Sequence, residues 1–207
     1  MTLAGSTTWA VVMCIPAVAW ADAEEASAHG HAIAGAARIG DPRANDTQST
    51  PMLGAGARFS YATSDWFAYE AAVAVMQTGR VRFTDAMHEM SPADIQRATR
   101  LTQLSVGVTA RFGTRFVPTL GVAVGAQWRH SLSGIAIGDT TGLALGTSAA
   151  THRFEALVQV NAGFDYRWGR HLITGIRVAG EHALSSVTYT AAHAAAHVSY
   201  YWYPRWF

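Results

Sequence analysis

The chain has 207 residues, half of them hydrophobic, yet its mean hydropathy is only +0.10 and its formal net charge is +1. This length supports one domain with a sizeable core, and the near-neutral charge excludes nucleic acid as an expected partner. After the N-terminal segment the apolar residues are diluted among polar ones. No stretch there approaches the ~20 consecutive apolar residues that a spanning helix needs.

The first element is an N-terminal apolar run that is too short to span a membrane. It ends in the small-x-small pattern of Ala19 and Ala21, and acidic residues follow. This pattern predicts a secretory signal peptide over residues 1–21 and a mature domain over 22–207, with a short membrane-associated segment as the alternative. The single cysteine, Cys14, lies in this segment, so the mature chain is expected to lack thiol chemistry.

Strand patterns dominate the rest of the chain. Residues 154–168 show this best, because even-numbered positions are apolar or aromatic and odd-numbered positions are mostly polar over the whole stretch. A period of two held for so long is typical of a long β-strand with two different faces. In chain order, the predicted strands are 28–39, 52–61, 66–83, 102–112, 116–129, 154–168, 171–181 and 192–207.

The links between these strands alternate in length. Short turns are expected near 64–65, 113–115 and 169–170, and longer links at 41–50, 84–98, 131–151 and 185–191. This alternation predicts an all-β, eight-stranded, antiparallel up-and-down transmembrane barrel, with both chain ends on the short-turn side. Within the second long link, Ser91 followed by Pro92 predicts a short helix over 92–98.

The two faces of the strands differ in charge. Apolar faces carry no charge across the middle of the clearest strands, whereas the opposite faces combine small residues with isolated ions. A charge facing lipid at the bilayer midplane costs about 2–4 kcal/mol, so we expect the apolar faces to contact lipid and the ions to pair inside a narrow lumen. The predicted lumen network is Arg58, Glu70, Arg111, Arg129, Glu155, Asp165, Arg167, Arg177 and Glu181.

Aromatic residues lie near the ends of the apolar faces, where transmembrane barrels carry rings at the two water boundaries. Phe116 and Trp128 share one face and stand roughly 30 Å apart along the axis of a tilted strand, which matches the thickness of a bilayer core. The predicted membrane-interface aromatics are Phe59, Tyr61, Phe67, Tyr69, Phe112, Phe116, Trp128, Phe154, Phe164, Tyr166, Trp168, Tyr200 and Trp202.

The signal peptide, the rhythm of strands and loops, the charged lumen and an aromatic C-terminal stretch together resemble the small outer-membrane barrels of the OmpA/OmpX type. The resemblance implies a bacterial outer-membrane location, contact with outer-membrane lipid, and recognition by the barrel-assembly machinery through Tyr203, Trp206 and Phe207. Pro204 and Arg205 depart from the family's terminal pattern, and they leave the register of the last strand open.

The predicted role is structural, or an interaction at the cell surface through loops 84–98 and 131–151. A lumen of eight strands is filled by side chains, so bulk diffusion is not expected. No cofactor is predicted. The alternatives are an enzyme that modifies lipid A and, further away, a soluble lipocalin-like binding protein with its apolar face inside.

Three short motifs offer chemistry, and each has a plainer interpretation. His197 and Ser199 resemble the His/Ser pair of outer-membrane lipid A deacylases, although a matching acid is not evident and both are expected to face the lumen. The run from Met87 to Met90 and the pair His29 and His31 contain metal-ligand types without a complete set. Ordinary lumen, loop and interface residues are the favoured interpretation, and no catalytic or metal residue is predicted.

Overall fold

The computed structural model describes residues 24–41, 44, 46–88, 91–138, 142–185 and 187–203. The predicted signal peptide over 1–21 lies outside these residues, as do Trp206 and Phe207 of the predicted assembly signal. Among the described residues, no helix is long and apolar enough to cross a membrane.

Twelve strands account for most of the described chain, and eight of them form the barrel. The barrel strands are β1 (Glu25–Gly40), β2 (Thr47–Ser64), β3 (Phe67–Thr78), β6 (Thr99–Arg111), β7 (Phe116–Ser131), β10 (Thr151–Trp168), β11 (Leu172–Leu184) and β12 (Tyr189–Trp202). The other four form a second sheet, and they are β4 (Val81–His88), β5 (Ser91–Arg97), β8 (Gly134–Gly138) and β9 (Ala144–Ser148).

The barrel is closed and antiparallel throughout, in the order β1-β12-β11-β10-β7-β6-β3-β2. Its closing seam joins β1 to β12, with a register that runs from Ala26 opposite Trp202 to Ile39 opposite Tyr189. Closure pairs the backbone groups that an open sheet would leave at its edges, which a membrane span requires. The predicted fold class is therefore confirmed.

The three short turns lie at one end of the barrel, as predicted, and we call this the turn end. Gly113 and Gly169 occupy two of these turns with φ of 97° and 63°. These left-handed conformations favour glycine because a Cβ would be strained there. The longer links lie at the opposite end, the loop end.

The outward face is apolar and the inward face is polar, as alternation predicts. Val122 and Val178 are 54% and 56% exposed, whereas Arg111 and Glu155 are 8% and 4% exposed. A soluble lipocalin-like barrel would have the reverse arrangement, so that alternative is wrong. The interior is not polar along its whole length, because an apolar cluster that includes Ile39, Met52, Met76, Phe83 and Leu101 fills it toward the loop end.

Two sequence-based expectations about the second long link are wrong. The predicted strand 66–83 is two strands, because β3 ends at Thr78 and β4 begins at Val81 after a break in the pairing. The predicted helix over 92–98 is strand β5, which pairs with β4 on one side and β8 on the other. The Ser-Pro helix start is a local signal, and pairing on both sides overrides it.

We call the four-stranded sheet of β4, β5, β8 and β9 the outer sheet. Its order, β4-β5-β8-β9, follows the order of the barrel strands β3, β6, β7 and β10 with which its members are continuous along the chain. The outer sheet therefore extends half of the barrel wall beyond the loop end. The predicted loops 84–98 and 131–151 are thus largely hairpins rather than irregular loops.

Candidate functional site: the lumen and the outer sheet

The predicted lumen residues separate into three groups along the barrel. At the turn end, Arg111 Nη2 lies 2.7 Å from Glu25 Oε1, and Arg167 Nη1 lies 2.9 Å from Glu25 Oε2. Glu25 was missed by the sequence analysis because the first strand was expected to begin at residue 28. Its signal is the polar alternation of Glu25, Ser27 and His29, which extends the strand pattern toward the N-terminus.

The central cluster contains Arg58, Glu70 and Arg177. Arg177 donates two parallel hydrogen bonds to Glu70, of 2.8 and 2.9 Å, and Arg58 Nε lies 3.7 Å from Glu70 Oε1. Asp165, also predicted for the lumen, contacts His197 Nε2 at 3.0 Å. A bidentate guanidinium–carboxylate pair fixes both side chains, so this cluster holds Arg177 and Glu70 in place in the middle of the lumen.

Toward the loop end, a second network joins Arg129, Glu155 and Glu181 through two glutamines. Arg129 Nη2 lies 2.6 Å from Glu155 Oε1, and Gln127 donates to Glu155 Oε2 at 3.2 Å. Gln103 donates to both Gln127 and Glu181, at 2.9 and 2.8 Å. Unlike Glu70 and Glu155, Glu181 makes its hydrogen bonds with neutral donors, which include the Tyr189 hydroxyl at 3.1 Å.

Lumen-facing glycines make room for these large side chains. A Cβ at Gly56 would lie 2.4 Å from His31 Nε2, and one at Gly163 would lie 2.5 Å from Arg177 Cγ. A Cβ at Gly175 would lie 2.5 Å from Asp165 Oδ1 and 2.6 Å from His197 Cε1. The glycines on the polar face therefore leave the space that the neighbouring polar side chains occupy.

The His197/Ser199 motif does not form a pair. Ser199 Oγ is hydrogen-bonded to His29 Nδ1, and His197 is turned to Asp165 instead. His29 Nε2 contacts Ser27 Oγ at 2.9 Å. Because Ser199 is only 2% exposed inside the barrel, a lipid substrate has no approach to it in this structure.

The metal-ligand motifs are also explained by their positions. His29 and His31 project into the lumen. Glu89 and Met90 lie outside the described residues. Within the part of the chain that the structure describes, no group of three or more His, Cys, Asp or Glu side chains has the geometry to hold a metal ion.

The predicted interface aromatics are distributed unequally between the two ends. Trp128 and Phe154, which face each other across β7 and β10, lie toward the loop end, and the other predicted rings lie toward the turn end. There they touch one another, as in the contact between Phe116 and Tyr166, whose ring centroids are 4.9 Å apart. Tyr203 of the predicted assembly signal is exposed at this end.

The outer sheet is tied to the first long link by a buried ion pair. Arg97 of β5 and Asp41 contact each other with side-chain exposures of 0% and 1%, and Arg97 Nη1 donates to the Ala149 carbonyl at 3.4 Å. Burial lowers the pKa of Arg97 to about 10, so the guanidinium stays charged at neutral pH. One side chain thereby joins three of the four longer links.

Further contacts hold the same link against β4. Ala44 forms an isolated antiparallel bridge with Ala86, and Thr84 Oγ1 donates to Asp46 Oδ2 at 3.0 Å. Hydrogen bonds from Gln48 and Thr84 hold the pKa of Asp46 below its usual value. At the other end of the outer sheet, around β8 and β9, the apolar side chains of Ile135, Leu143 and Leu145 are exposed instead.

Comparison with known proteins supports the fold. No protein-family model and no curated protein matches the sequence. Among solved structures, the chain is similar to Ail, the attachment invasion locus protein of Yersinia pestis, with a TM-score of 0.52, 13% identity, and coverage of 87% of this chain and 99% of Ail. Neisserial surface protein A gives a TM-score of 0.56, 12% identity, and coverage of 84% and 96%.

The outer membrane protein OprG from Pseudomonas aeruginosa gives a TM-score of 0.56 and 13% identity over 88% of this chain and 97% of OprG. At these identities the likeness concerns the fold alone. The architecture is that of the small eight-stranded outer-membrane barrels, in agreement with the resemblance drawn from the sequence.

Proposed function

We propose that this protein is an integral outer-membrane barrel that acts at the cell surface through its outer sheet and passes no bulk solute. The outer-membrane location is supported by the exposed apolar belt of the barrel wall, which includes Leu120, Val160 and Ile176. Left in water, a continuous belt of this kind would drive aggregation, whereas lipid tails match it.

A closed lumen argues against a diffusion pore. The three ionic groups follow one another along the axis, the apolar cluster packs beside the third, and Arg129, Gln127 and Leu101 are almost fully buried. A solute would have to break paired charges in a poorly hydrated interior. The barrel wall therefore serves as a support for the outer sheet at the loop end.

The outer sheet is the observation that carries the proposed role. Ordered hairpins are pinned by the buried Arg97–Asp41 pair on one side and expose Ile135, Leu143 and Leu145 on the other. Exposed apolar residues on a rigid platform are typical of a surface that meets another protein. The proposed partner-binding segments are therefore 84–98 and 131–151, and the partner is a protein surface.

The orientation is tested by labelling single cysteines in intact cells with a maleimide that does not cross the outer membrane. Thr147→Cys on β9 should be labelled, and Thr114→Cys in a turn at the opposite end should be labelled only after lysis. Both positions are exposed, so they form a matched pair. Labelling of Thr114→Cys alone in intact cells, or recovery of the protein in the soluble fraction, would contradict the proposal.

The closed lumen is tested by conductance in planar bilayers. We expect the purified barrel to give no open-pore current, because paired charges and the apolar cluster occupy the lumen. Steady pore-like conductance of the unmodified protein would contradict the proposal.

The surface role is tested by adhesion of expressing cells to protein-coated surfaces. Leu145→Ser should reduce adhesion, whereas Val160→Ser on the barrel wall should not, provided that both variants reach the membrane in equal amounts. Equal adhesion of cells that express the Leu145→Ser variant and the unmodified protein would contradict the proposed role of the outer sheet.

A further inference from the structure

The middle of the lumen contains a cavity that the surface role does not use. It has a volume of about 70 Å³ and lies beside the central cluster. A single water needs ~10–15 Å³ measured in the same way, so the cavity has room for a small ion with water around it. The polar side chains that line it include His31, Arg58, Glu70, Gln159, Arg177 and His193.

Several nitrogen atoms of these side chains lack a hydrogen-bond partner among the described residues. They are Arg58 Nε, Arg177 Nε, His31 Nδ1 and His193 Nδ1. The side chains of Arg58, Arg177 and His193 are 9%, 8% and 6% exposed, so bulk water does not supply the missing bonds. Guanidinium nitrogens are donors only, and an imidazole Nδ1 donates in one of its two tautomers, so an acceptor in the cavity would satisfy all four nitrogens.

The charges around the cavity also favour a ligand that accepts hydrogen bonds. Glu70 is the carboxylate in the lining, and both of its oxygens accept hydrogen bonds from Arg177. Arg58 Nε is 3.7 Å from Glu70 Oε1, beyond hydrogen-bond distance, and Arg58 Nη2 donates to His29 Nδ1 at 3.0 Å. Asp165 contacts His197. Asp165 also acts electrostatically on both arginines but lies outside the lining, so the cavity itself is bordered by two guanidinium groups and one carboxylate.

We infer that this cavity binds one small inorganic anion of the size of bromide or nitrate, held between Arg58 and Arg177 with His31 and His193 completing the site. The ion supplies the acceptor that the orphaned nitrogens need and a negative charge beside the two guanidinium groups of the lining. Small residues such as Ala72, Gly107 and Ala123 form part of the remaining wall, but a volume of about 70 Å³ leaves no space for a large organic anion.

The test uses the purified, folded full barrel in detergent, and its thermal unfolding is followed by the mobility difference between folded and unfolded forms on gels. Sodium nitrate or sodium bromide is titrated at constant ionic strength against sodium gluconate, whose anion is too large for the cavity. We expect a saturable rise of the unfolding midpoint with nitrate or bromide, because a ligand that binds the folded form stabilises it.

Arg58→Gln should weaken this effect by about tenfold or more in apparent Kd, since it removes a charged donor. Arg170→Gln, in an exposed turn, is the matched control and should leave the effect unchanged. Identical midpoints in all three salts, or a nitrate effect that is the same in Arg58→Gln, would overturn the site and leave a cavity that holds water only.

If Arg58→Gln does not fold, crystals of the unmodified protein soaked in bromide decide the question. An anomalous bromide peak in the cavity, within hydrogen-bond distance of Arg58 or Arg177, supports the site. Water density there without an anomalous signal overturns it.

Discussion

At the scale of single residues, neighbouring positions on one strand have opposite environments. Val158 on β10 faces outward, whereas Gln159 faces the lumen and donates to Glu181 Oε1 at 3.1 Å. The difference follows from the period of two, because successive side chains point to opposite faces of the wall.

We therefore expect Val158→Arg to block assembly, since an arginine on the lipid face near the midplane costs about 2–4 kcal/mol. Gln159→Arg should be milder, because Glu181 lies beside the new charge. The folded fraction in outer-membrane preparations, measured by heat-modifiable gel mobility, checks both. Equal losses in the two variants would contradict the assigned faces.

Two glycines of β11 give a second pair at this scale. Gly175→Ala would place a Cβ 2.5 Å from the Phe164 carbonyl oxygen and from Asp165 Oδ1, whereas the nearest atom to a Cβ at Gly180 is Val160 Cγ2 at 3.7 Å. We expect Gly175→Ala to destabilise the barrel and Gly180→Ala to be neutral or stabilising by about 0.4–1 kcal/mol. Urea unfolding in lipid vesicles measures both changes, and a harmless Gly175→Ala would show that the Asp165–His197 contact does not need this space.

At the scale of elements, the outer sheet is coupled to the first long link by one buried ion pair. Arg97 and Asp41 are both buried, whereas Arg80, between β3 and β4, is exposed. Removal of one partner leaves an unpaired, poorly hydrated charge only where water cannot replace that partner.

Arg97→Met should therefore cost about 3–5 kcal/mol, against at most ~1 kcal/mol for Arg80→Met, because the Arg80 side chain lies in water. Because the pair joins the first long link to β5, the loss should show as faster protease cleavage within 41–50 and 81–97 while the barrel stays folded. Equal cleavage rates in the two variants would contradict the role of the buried pair.

At the scale of the whole molecule, the barrel and the outer sheet differ in how they are held. β7 and β10 pair directly as far as Ser131 opposite Thr151, so the hairpin between them is not needed to set the barrel register. The barrel closes through pairs of long strands, whereas β8 and β9 have five residues each.

Replacement of residues 133–149 by a short glycine-serine turn should thus leave a folded, heat-modifiable barrel and abolish adhesion of expressing cells. The unmodified barrel is the control for both measurements. Loss of the folded form on this replacement would show that the outer sheet is part of the folding unit.

Local sequence patterns do not determine how the strands pair or which partner each buried side chain contacts. The Arg97 side chain lies in a segment whose local signal is that of a helix start, yet it ends up buried against Asp41 because the neighbouring strands pair on both sides of β5. Likewise, parity places Ser199 and His197 on the inner face, but which partner each side chain takes depends on β1 across the seam.

Alternation along each strand was sufficient to locate the eight barrel strands and the turn end, and to tell the apolar face of each strand from the polar one. A period of two shows directly on which side of the barrel wall a residue lies. The pairing of Glu25 with two arginines, the cavity between Arg58 and Arg177, and the outer sheet were settled only by the closed structure. These features join residues far apart in the chain, such as Glu25 and Arg167 at a separation of 142 positions, and such contacts depend on strand order, register and curvature, which no single segment contains.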